Sequence, residues 1–253
     1  MSKILVLLSF LILPAHAVQK PLLKSAAASP TPQNITVRNL KLYEIGKTDG
    51  PLLYNQKITK QKMPDGKVST KTVTTDPHGK VIFTETMISK GSMPLFQSDE
   101  VQQTKRHLEL EVKNERVYLR TRALNAENDE KPKEDDEKLP ENLISGALAE
   151  DFILENWDDL MNDETVYAKL AVMELREVIK FKFWKKQITK IDGKEVMEVM
   201  MKPSSFLVSL IVDPIHLYMD LKEKKMIHYV GRTPLWKFTD GKISALDAEI
   251  VFD

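Results

Sequence analysis

The chain has 253 residues with 37 basic and 37 acidic side chains, and it contains no cysteine. A net charge near zero is untypical of nucleic-acid-binding proteins, which concentrate positive charge, and the absence of cysteine excludes disulfides and thiol chemistry. A chain of this length can bury one large hydrophobic core, so a single domain without covalent cross-links is expected.

The first 17 residues form the pattern of a secretory signal peptide. Lys3 gives a basic start, residues Ile4–Leu13 are apolar, and Ala15-His16-Ala17 fits a cleavage site. The apolar run is shorter than the roughly 20 residues that a membrane-spanning helix needs. Because no cysteine follows Ala17, lipid attachment there is not expected. We therefore predict export to the bacterial periplasm, with neither a transmembrane segment nor a lipid anchor after cleavage.

Residues 18–36 are rich in Ala, Ser and Pro and predict a flexible tether. Residues 37–253 are predicted to form one domain that is mainly β. Asp-Gly dipeptides, which favour tight hairpin turns, occur four times in it, at Asp49, Asp65, Asp192 and Asp240.

Between these turns, apolar and polar residues alternate as they do in strands with one dry face and one wet face. The clearest alternating segments are Leu108–Val112, Ile179–Phe183, Met197–Met201, Leu217–Leu221 and Leu246–Phe252. We count about ten to twelve candidate strands. The pattern predicts a large curved antiparallel sheet or half-open β-barrel.

Two segments interrupt the alternation. Apolar residues recur at helical spacing over Pro140–Met161, which predicts one main amphipathic helix lying over the dry face of the sheet. A shorter helix is predicted over Ser204–Ile211, ending near Asp213-Pro214. Residues Asn125–Glu141 are dense in charge and predict a solvated acidic loop. A calcium site is the alternative, but the glycine and the ligand spacing of known calcium loops are absent.

The motifs of common catalytic sites are absent from the sequence. It has no phosphate-binding glycine loop, no nucleophile elbow and no zinc-protease motif. His216 and His228 are the one histidine pair that merits consideration as metal ligands. A regular hairpin through Glu223-Lys224 places His228 opposite Met219 and turns His216 to the other face. We therefore predict no metal, no cofactor and no catalytic residues.

The dry face offers an apolar surface that can hold a ligand. The predicted ligand-binding residues are Phe181, Phe183, Met197, Val199, Met201, Leu217 and Met219, and the predicted lid helix covers them with Leu148, Phe152 and Trp157. Methionine suits surfaces that adapt to varied apolar partners, although these methionines can equally fill the core. Trp184 falls on the opposite face beside Lys180 and Lys182, where it marks a contact surface unless the helix covers it.

Several short strings are similar to a family of bacterial periplasmic proteins catalogued as a domain of unknown function. They are Phe152-Ile153 with Asn156-Trp157-Asp158-Asp159-Leu160, Phe181-Lys182-Phe183, Pro203-Ser204-Ser205-Phe206, Val212-Asp213-Pro214 and Tyr229–Pro234. The overall layout resembles the outer-membrane lipoprotein carriers, in which an unclosed barrel and covering helices enclose an apolar cavity. That resemblance implies binding of acyl chains, but it matches no ligand-contacting residue and no lid-anchoring arginine in this chain.

These observations favour a non-enzymatic periplasmic protein that binds a lipid, a lipoprotein or another apolar ligand in a groove left partly unfilled by the helix. The alternative is a structural or protein-interaction module of the cell envelope with a filled core. A hydrolase is the third hypothesis, and it needs a carboxylate pair or a histidine inside a cleft.

Overall fold

The computed structural model describes residues 35–125, 131–205, 213–239 and 241–253. The predicted leader, most of the predicted tether and all but the first two residues of the predicted Ser204–Ile211 helix lie outside these ranges. Ile35 and Thr36, predicted to end the tether, already belong to the first strand. The described residues belong to one compact unit.

The described ranges contain fifteen strands and two short α-helices. The strands are β1 (Ile35–Tyr43), β2 (Tyr54–Lys62), β3 (Val68–Thr75), β4 (Val81–Lys90), β5 (Met93–Val101), β6 (Arg106–Lys113), β7 (Arg116–Ala123), β8 (Lys133–Lys138), β9 (Leu143–Ile144), β10 (Val166–Val172), β11 (Glu177–Ile191), β12 (Lys194–Pro203), β13 (Ile215–Asp220), β14 (Lys225–Thr239) and β15 (Lys242–Phe252). The helices are α1 (Ala149–Glu155) and α2 (Trp157–Met161), preceded by a 3-10 turn at Gly146–Leu148. We refer to Gly146–Met161 as the helical segment.

All fifteen strands belong to one sheet, in the order β8-β7-β6-β5-β4-β3-β2-β1-β15-β14-β13-β12-β11-β10-β9. Every neighbouring pair is antiparallel except β9 and β10. Because β1 pairs with β15, the first and last strands of the domain lie side by side inside the sheet. The strands from the middle of the chain, β8 and β9, form its two edges. It curves until its edges approach each other, where Arg176 Nε contacts Asp135 Oδ2 at 2.6 Å. The predicted curved antiparallel sheet is confirmed.

Asp-Gly dipeptides lie in two of the hairpin turns that connect these strands. Gly66 and Gly193 occupy the β2–β3 and β11–β12 turns with φ of 80° and 79°. Glycine adopts this left-handed conformation without the steric cost that a Cβ imposes. The β11–β12 turn has two residues between the paired Ile191 and Lys194, and the β2–β3 turn has five between the paired Lys62 and Val68. Both turns join adjacent antiparallel strands, and the strand order shows that most of the sheet is a meander.

The interior contains two apolar clusters. One joins β4, β6 and β7 to β1, β14 and β15, with Phe83, Leu110 and Leu42 among its fully buried members. The other lies between the helical segment and β11–β13. Alternation therefore assigns the inner and outer faces of most strands as predicted, and the helical segment covers the inner face of the C-terminal half of the sheet.

The helix predicted over Pro140–Met161 is shorter and broken. Leu143–Ile144 forms β9 instead, and α1 and α2 are separated at Asn156, whose φ of −112° and ψ of 26° are not helical. The Asn156 amide Nδ2 donates to the carbonyl of Phe152 at 2.8 Å. Asparagine commonly interrupts helices through such local hydrogen bonds.

The acidic loop predicted over Asn125–Glu141 is also partly wrong, because Lys133–Lys138 forms the edge strand β8. Its carboxylates are neutralised by arginines of β7 and of the β10–β11 turn. Asp136 pairs with Arg116, Glu134 with Arg120, and Asp135 with Arg176. Charge compensation by neighbouring arginines allows this very acidic sequence to join the sheet.

Candidate functional site

The structure brings the seven predicted ligand-binding residues together on one inner wall. Cross-strand partners on this wall are Phe183 with Met201, Met197 with Met219, and Val199 with Leu217. All seven are at most 7% exposed. The prediction that they share a face is therefore met, but none of them is open to solvent.

The helical segment occupies the space in front of this wall. The Phe152 and Phe183 rings pack with centroids 5.0 Å apart, and Ile153 and Leu160 are completely buried in the same cluster. Leu148 and Trp157, the other predicted lid residues, are 1% and 8% exposed. The unfilled groove expected from the sequence is not found along these residues, because the protein's own side chains fill it.

A carboxylate of α1 attaches the helical segment to two strands of the sheet. Arg38 on β1 donates to both oxygens of Glu150 at 3.0 and 2.8 Å. Glu150 also accepts a hydrogen bond from the backbone nitrogen of Met226 at 2.6 Å, and Arg38 donates to the Met226 carbonyl. Helix α1 is therefore joined to β1 and β14 by partly buried polar contacts.

Further polar contacts hold the segment to other strands. Lys60 on β2 lies 3.0 Å from Asp151. Glu155 accepts hydrogen bonds from the Ser92 backbone nitrogen, at 2.8 Å, and from the Ser92 hydroxyl. Lys185 on β11 donates to the carbonyl of Met161 at 2.6 Å. The segment thus has an apolar underside and a charged rim.

A buried carboxyl pair lies elsewhere on the inner wall, and the sequence analysis missed it. Glu85 and Asp99 are direct cross-strand partners on β4 and β5, 6% and 3% exposed. Glu85 accepts hydrogen bonds from the Thr72 hydroxyl at 3.0 Å and from the Gln97 amide at 3.1 Å. The signal was available, because Glu85 alternates in phase with the apolar Phe83 and Met87.

Burial is the main reason that both carboxyls of this pair have raised pKa values. It raises the pKa of Glu85 to about 7, and the Thr72 hydrogen bond opposes that effect. Burial, and then the charge of Glu85, raise the pKa of Asp99 well above its ordinary value. A buried carboxyl with a raised pKa is a frequent feature of acid–base sites. Because both carboxyls are buried here, we expect their protonation to affect the stability of the fold.

The two histidines lie on the same outer face, contrary to the predicted register. The β13–β14 pairing shifts between Tyr218 and Met219, which places His228 opposite Tyr218 instead of Met219. The Tyr218 ring then lies between His216 and His228, at centroid distances of 6.5 and 5.3 Å. A β-bulge, which turns every residue beyond it to the other face, explains the error.

Each histidine contacts a carboxylate. His216 Nδ1 lies 2.7 Å from Glu198, and His228 Nε2 lies 2.8 Å from Glu249 but outside hydrogen-bonding alignment. Among the described residues, no group of three or more histidine or acidic side chains has a geometry suited to a metal ion.

Glu198 is the centre of this outer cluster and is 2% exposed. Burial tends to raise the pKa of its carboxyl, but hydrogen bonds from His216, Lys186 and Gln187 together lower it. Burial and the nearby Glu198 charge raise the pKa of Tyr218 to about 12. Tyr218 therefore remains protonated at neutral pH and is a poor nucleophile. The cluster is best explained as a polar network around Glu198, in which His228 Nε2 has no aligned hydrogen bond.

A surface groove of about 480 Å³ follows the seam where the edges of the sheet approach. Its lining combines four apolar side chains with four acidic side chains and one arginine. The lining residues are Val117, Leu119, Asp135, Asp136, Glu137, Leu175, Arg176, Glu177 and Val178. The Arg176–Asp135 contact crosses it. The groove is separate from the seven-residue wall and has the opposite character, since its walls are charged.

No protein-family model and no curated protein match the chain. Solved structures with a similar arrangement include a β-barrel-like protein of the domain of unknown function DUF1849 from Brucella abortus. It is 7% identical to this chain, the match covers 87% of this chain and 94% of that one, and the TM-score is 0.40. A DUF1329 family protein from Desulfovibrio piger has 8% identity, coverage of 87% and 82%, and a TM-score of 0.28.

A LolA superfamily protein from Nitrosomonas europaea has 8% identity, coverage of 88% and 86%, and a TM-score of 0.26. These likenesses are too distant to indicate a function. In the ranges that the structure describes, neither helix has the length and apolar character required to span a bilayer.

Proposed function

We propose that this protein is a non-catalytic binding module of the bacterial cell envelope that acts through its outer surface, with its interior serving as a filled core. The observation that carries the proposal is the closure of the inner wall. Seven side chains suited to an apolar ligand are at most 7% exposed and pack against the protein's own helical segment. This is the arrangement expected for the alternative that the sequence left open.

Export rests on the leader pattern of residues 1–17, with its basic start and its Ala15-His16-Ala17 ending. A mature protein released after Ala17 would reach the periplasm. There its lack of cysteine makes its stability independent of disulfide formation. The filled core is consistent with a protein that must be stable without cross-links.

The absence of catalysis is supported by the chemistry of the polar clusters. The Glu198–His216 pair resembles the orienting half of a nucleophilic site, but the hydroxyl beside it belongs to Tyr218, whose raised pKa opposes deprotonation. The carboxyls of the Glu85–Asp99 pair have raised pKa values, but both side chains are buried. Neither cluster combines a reactive group with access for a substrate.

A second candidate function is the binding of an apolar ligand after displacement of the helical segment. It is favoured by the rim, where Arg38 and Glu150 remain partly exposed at 19% and 13% and can exchange their contacts for water. Exposing Phe152, Ile153, Trp157 and Leu160 would cost on the order of 10 kcal/mol. A long acyl chain, at about 0.8 kcal/mol per methylene group, can offset a cost of this size.

Titration with a fluorescent fatty acid distinguishes the two functions. For a filled core, we expect no saturable uptake by the mature protein, and none by Arg38→Met, which removes the rim contact to Glu150 while keeping its apolar stem. If the segment opens for a ligand, Arg38→Met weakens the closed state and uptake increases relative to wild type. Saturable uptake that is enhanced by this variant would contradict the proposal. Lys57→Met, at an exposed site on β2, is the control.

A further inference from the structure

The outer face of β10–β12 carries a group of lysines and aromatic rings. Strand register aligns Tyr167 with Lys182 and Lys182 with Lys202, and it pairs Lys169 with Lys180. These side chains alternate with the buried Ala168, Phe181, Phe183 and Met201 of the inner wall. We call Tyr167, Lys169, Lys180, Lys182, Trp184 and Lys202 the basic aromatic face.

The lysines of this face have uncompensated charge. In the described part of the chain, Lys169, Lys180, Lys182 and Lys202 form no ion pair, whereas the adjacent Lys185 and Lys186 bind Asp163 and Glu198. The whole chain has no net charge, so a cluster of four unpaired cations is a local feature. Such a cluster attracts an anionic surface.

Two aromatic rings are placed beside these charges. Lys180 Nζ lies 4.2 Å from the ring centroid of Tyr167, and Lys182 Nζ lies 5.2 Å from that of Trp184. Tyr167 is 45% exposed. Tyrosine and tryptophan prefer the headgroup level of a bilayer, and lysine extends its charge beyond an apolar stem toward phosphates. The combination is typical of proteins that lie on membranes.

We propose that the basic aromatic face docks on the anionic headgroups of a lipid bilayer. This inference rests on the proposed function and specifies the partner of the outer surface. Lys180 and Lys182 bind lipid phosphates, and Tyr167 and Trp184 insert at headgroup level. The surface groove at the seam, with its acidic residues, lies at the Leu175–Val178 end of the β10–β11 hairpin. Anionic lipids repel that end, so the sheet lies on the membrane in one orientation.

Binding to vesicles tests this surface. The mature protein is mixed with vesicles of phosphatidylcholine, with or without phosphatidylglycerol, and the bound fraction is measured by sedimentation. We expect binding only with phosphatidylglycerol, and weaker binding at high ionic strength. Each lysine near an anionic surface changes the affinity about fivefold, so Lys180→Gln with Lys182→Gln should lower the partition coefficient by about 30-fold.

The matched control is Lys57→Gln with Lys71→Gln, which removes two exposed lysines from the outer face of β2 and β3. It should change the partition coefficient by no more than about twofold. Equal losses in both double variants, or equal binding to both vesicle types, would overturn the docking surface. Binding of a soluble acidic peptide without vesicle binding would also overturn it and would indicate a protein partner.

Trp184 provides an independent signal. The difference in fluorescence between wild type and Trp184→Phe should shift to shorter wavelength when phosphatidylglycerol vesicles are added, because the indole leaves water. An unchanged difference spectrum would contradict insertion of this ring. These measurements report on the outer face, whereas fatty-acid uptake reports on the inner wall, so failure of the docking surface is distinguishable from failure of the filled-core proposal.

Discussion

Replacing Phe152 by alanine is expected to lower the free energy of unfolding by about 3–5 kcal/mol. The Phe152 side chain is 3% exposed and packs against Phe183 at a centroid distance of 5.0 Å. Its removal leaves a cavity between the helical segment and the wall, in addition to the loss of buried apolar surface. Denaturation with urea, followed by circular dichroism, measures the change.

The control for this experiment is Asp159→Ala, an exposed substitution in α2 of the same segment, which should change stability by less than about 0.5 kcal/mol. The new cavity should also allow Phe152→Ala to bind a small apolar molecule such as benzene, which wild type does not bind. A loss of stability below about 1 kcal/mol would mean that the helical segment is only loosely attached to the wall.

The free energy of unfolding is expected to fall as pH rises from about 4.5 to about 7, owing to Glu85. In the folded protein the pKa of Glu85 is raised to about 7 from an ordinary value of 4.5. Below that range both folded and unfolded states are protonated, and the stabilising contribution is fully present. Within it, the unfolded chain releases the proton while the folded protein keeps it. The loss reaches about 3 kcal/mol near pH 7.

Glu85→Gln should remove this part of the pH dependence, because an amide has no proton to release. Near neutral pH the variant should be at least as stable as wild type, since it removes the buried charge of Glu85. Glu195→Gln, at an exposed position of β12, is expected to follow the wild-type profile. The assignment would be wrong if the profiles of wild type and Glu85→Gln ran parallel across this range. Chemical denaturation at several pH values gives the comparison.

The sheet was predictable because local signals agreed with the global fold. Gly66 and Gly193 terminate strands where the Asp-Gly pattern predicts hairpins, and alternation assigned Leu217 and Met219 to the inner wall. Local signals failed where distant residues decide the structure. The Lys133–Lys138 strand depends on Arg116, Arg120 and Arg176, which lie outside that segment.

The histidine register illustrates a different limit. A regular hairpin was the simplest pairing of β13 with β14, and a single register shift beside Met219 reversed the face of His228. A bulge of this kind depends on packing across several strands, and Met226 beside it is buried in the same cluster as Phe152 and Ile153 of α1. The order of residues within one hairpin does not contain that information.

The sequence predicts which residues form the candidate site, but it does not predict whether they leave an open groove. The sequence identified the wall, including Phe181, Phe183 and Met201, and the covering residues Phe152 and Trp157. Whether a groove remains between two apolar surfaces depends on the volumes of their side chains and on the path of the backbone. The break at Asn156 lets α1 and α2 follow the curved wall, and this adaptation is visible only in the folded protein.

The free edge of β8 also has a physical role. Edge strands expose unpaired backbone groups and promote aggregation unless they are charged or short. β8 consists entirely of charged residues, and β9 at the other end of the sheet has only two residues. In the described part of the chain, both edges therefore resist pairing with other molecules, which fits a protein whose contacts are made through a strand face.

The most direct test of the filled interior is mass spectrometry of the mature protein, purified without detergent from cells that export it. The native complex is weighed intact, and an organic extract of the same sample is analysed for lipids. A single mass equal to that of the polypeptide, with no lipid at stoichiometric amount in the extract, is the predicted result. A bound acyl-chain ligand at about one molecule per chain would contradict it and would show that the wall behind Phe152 holds cargo.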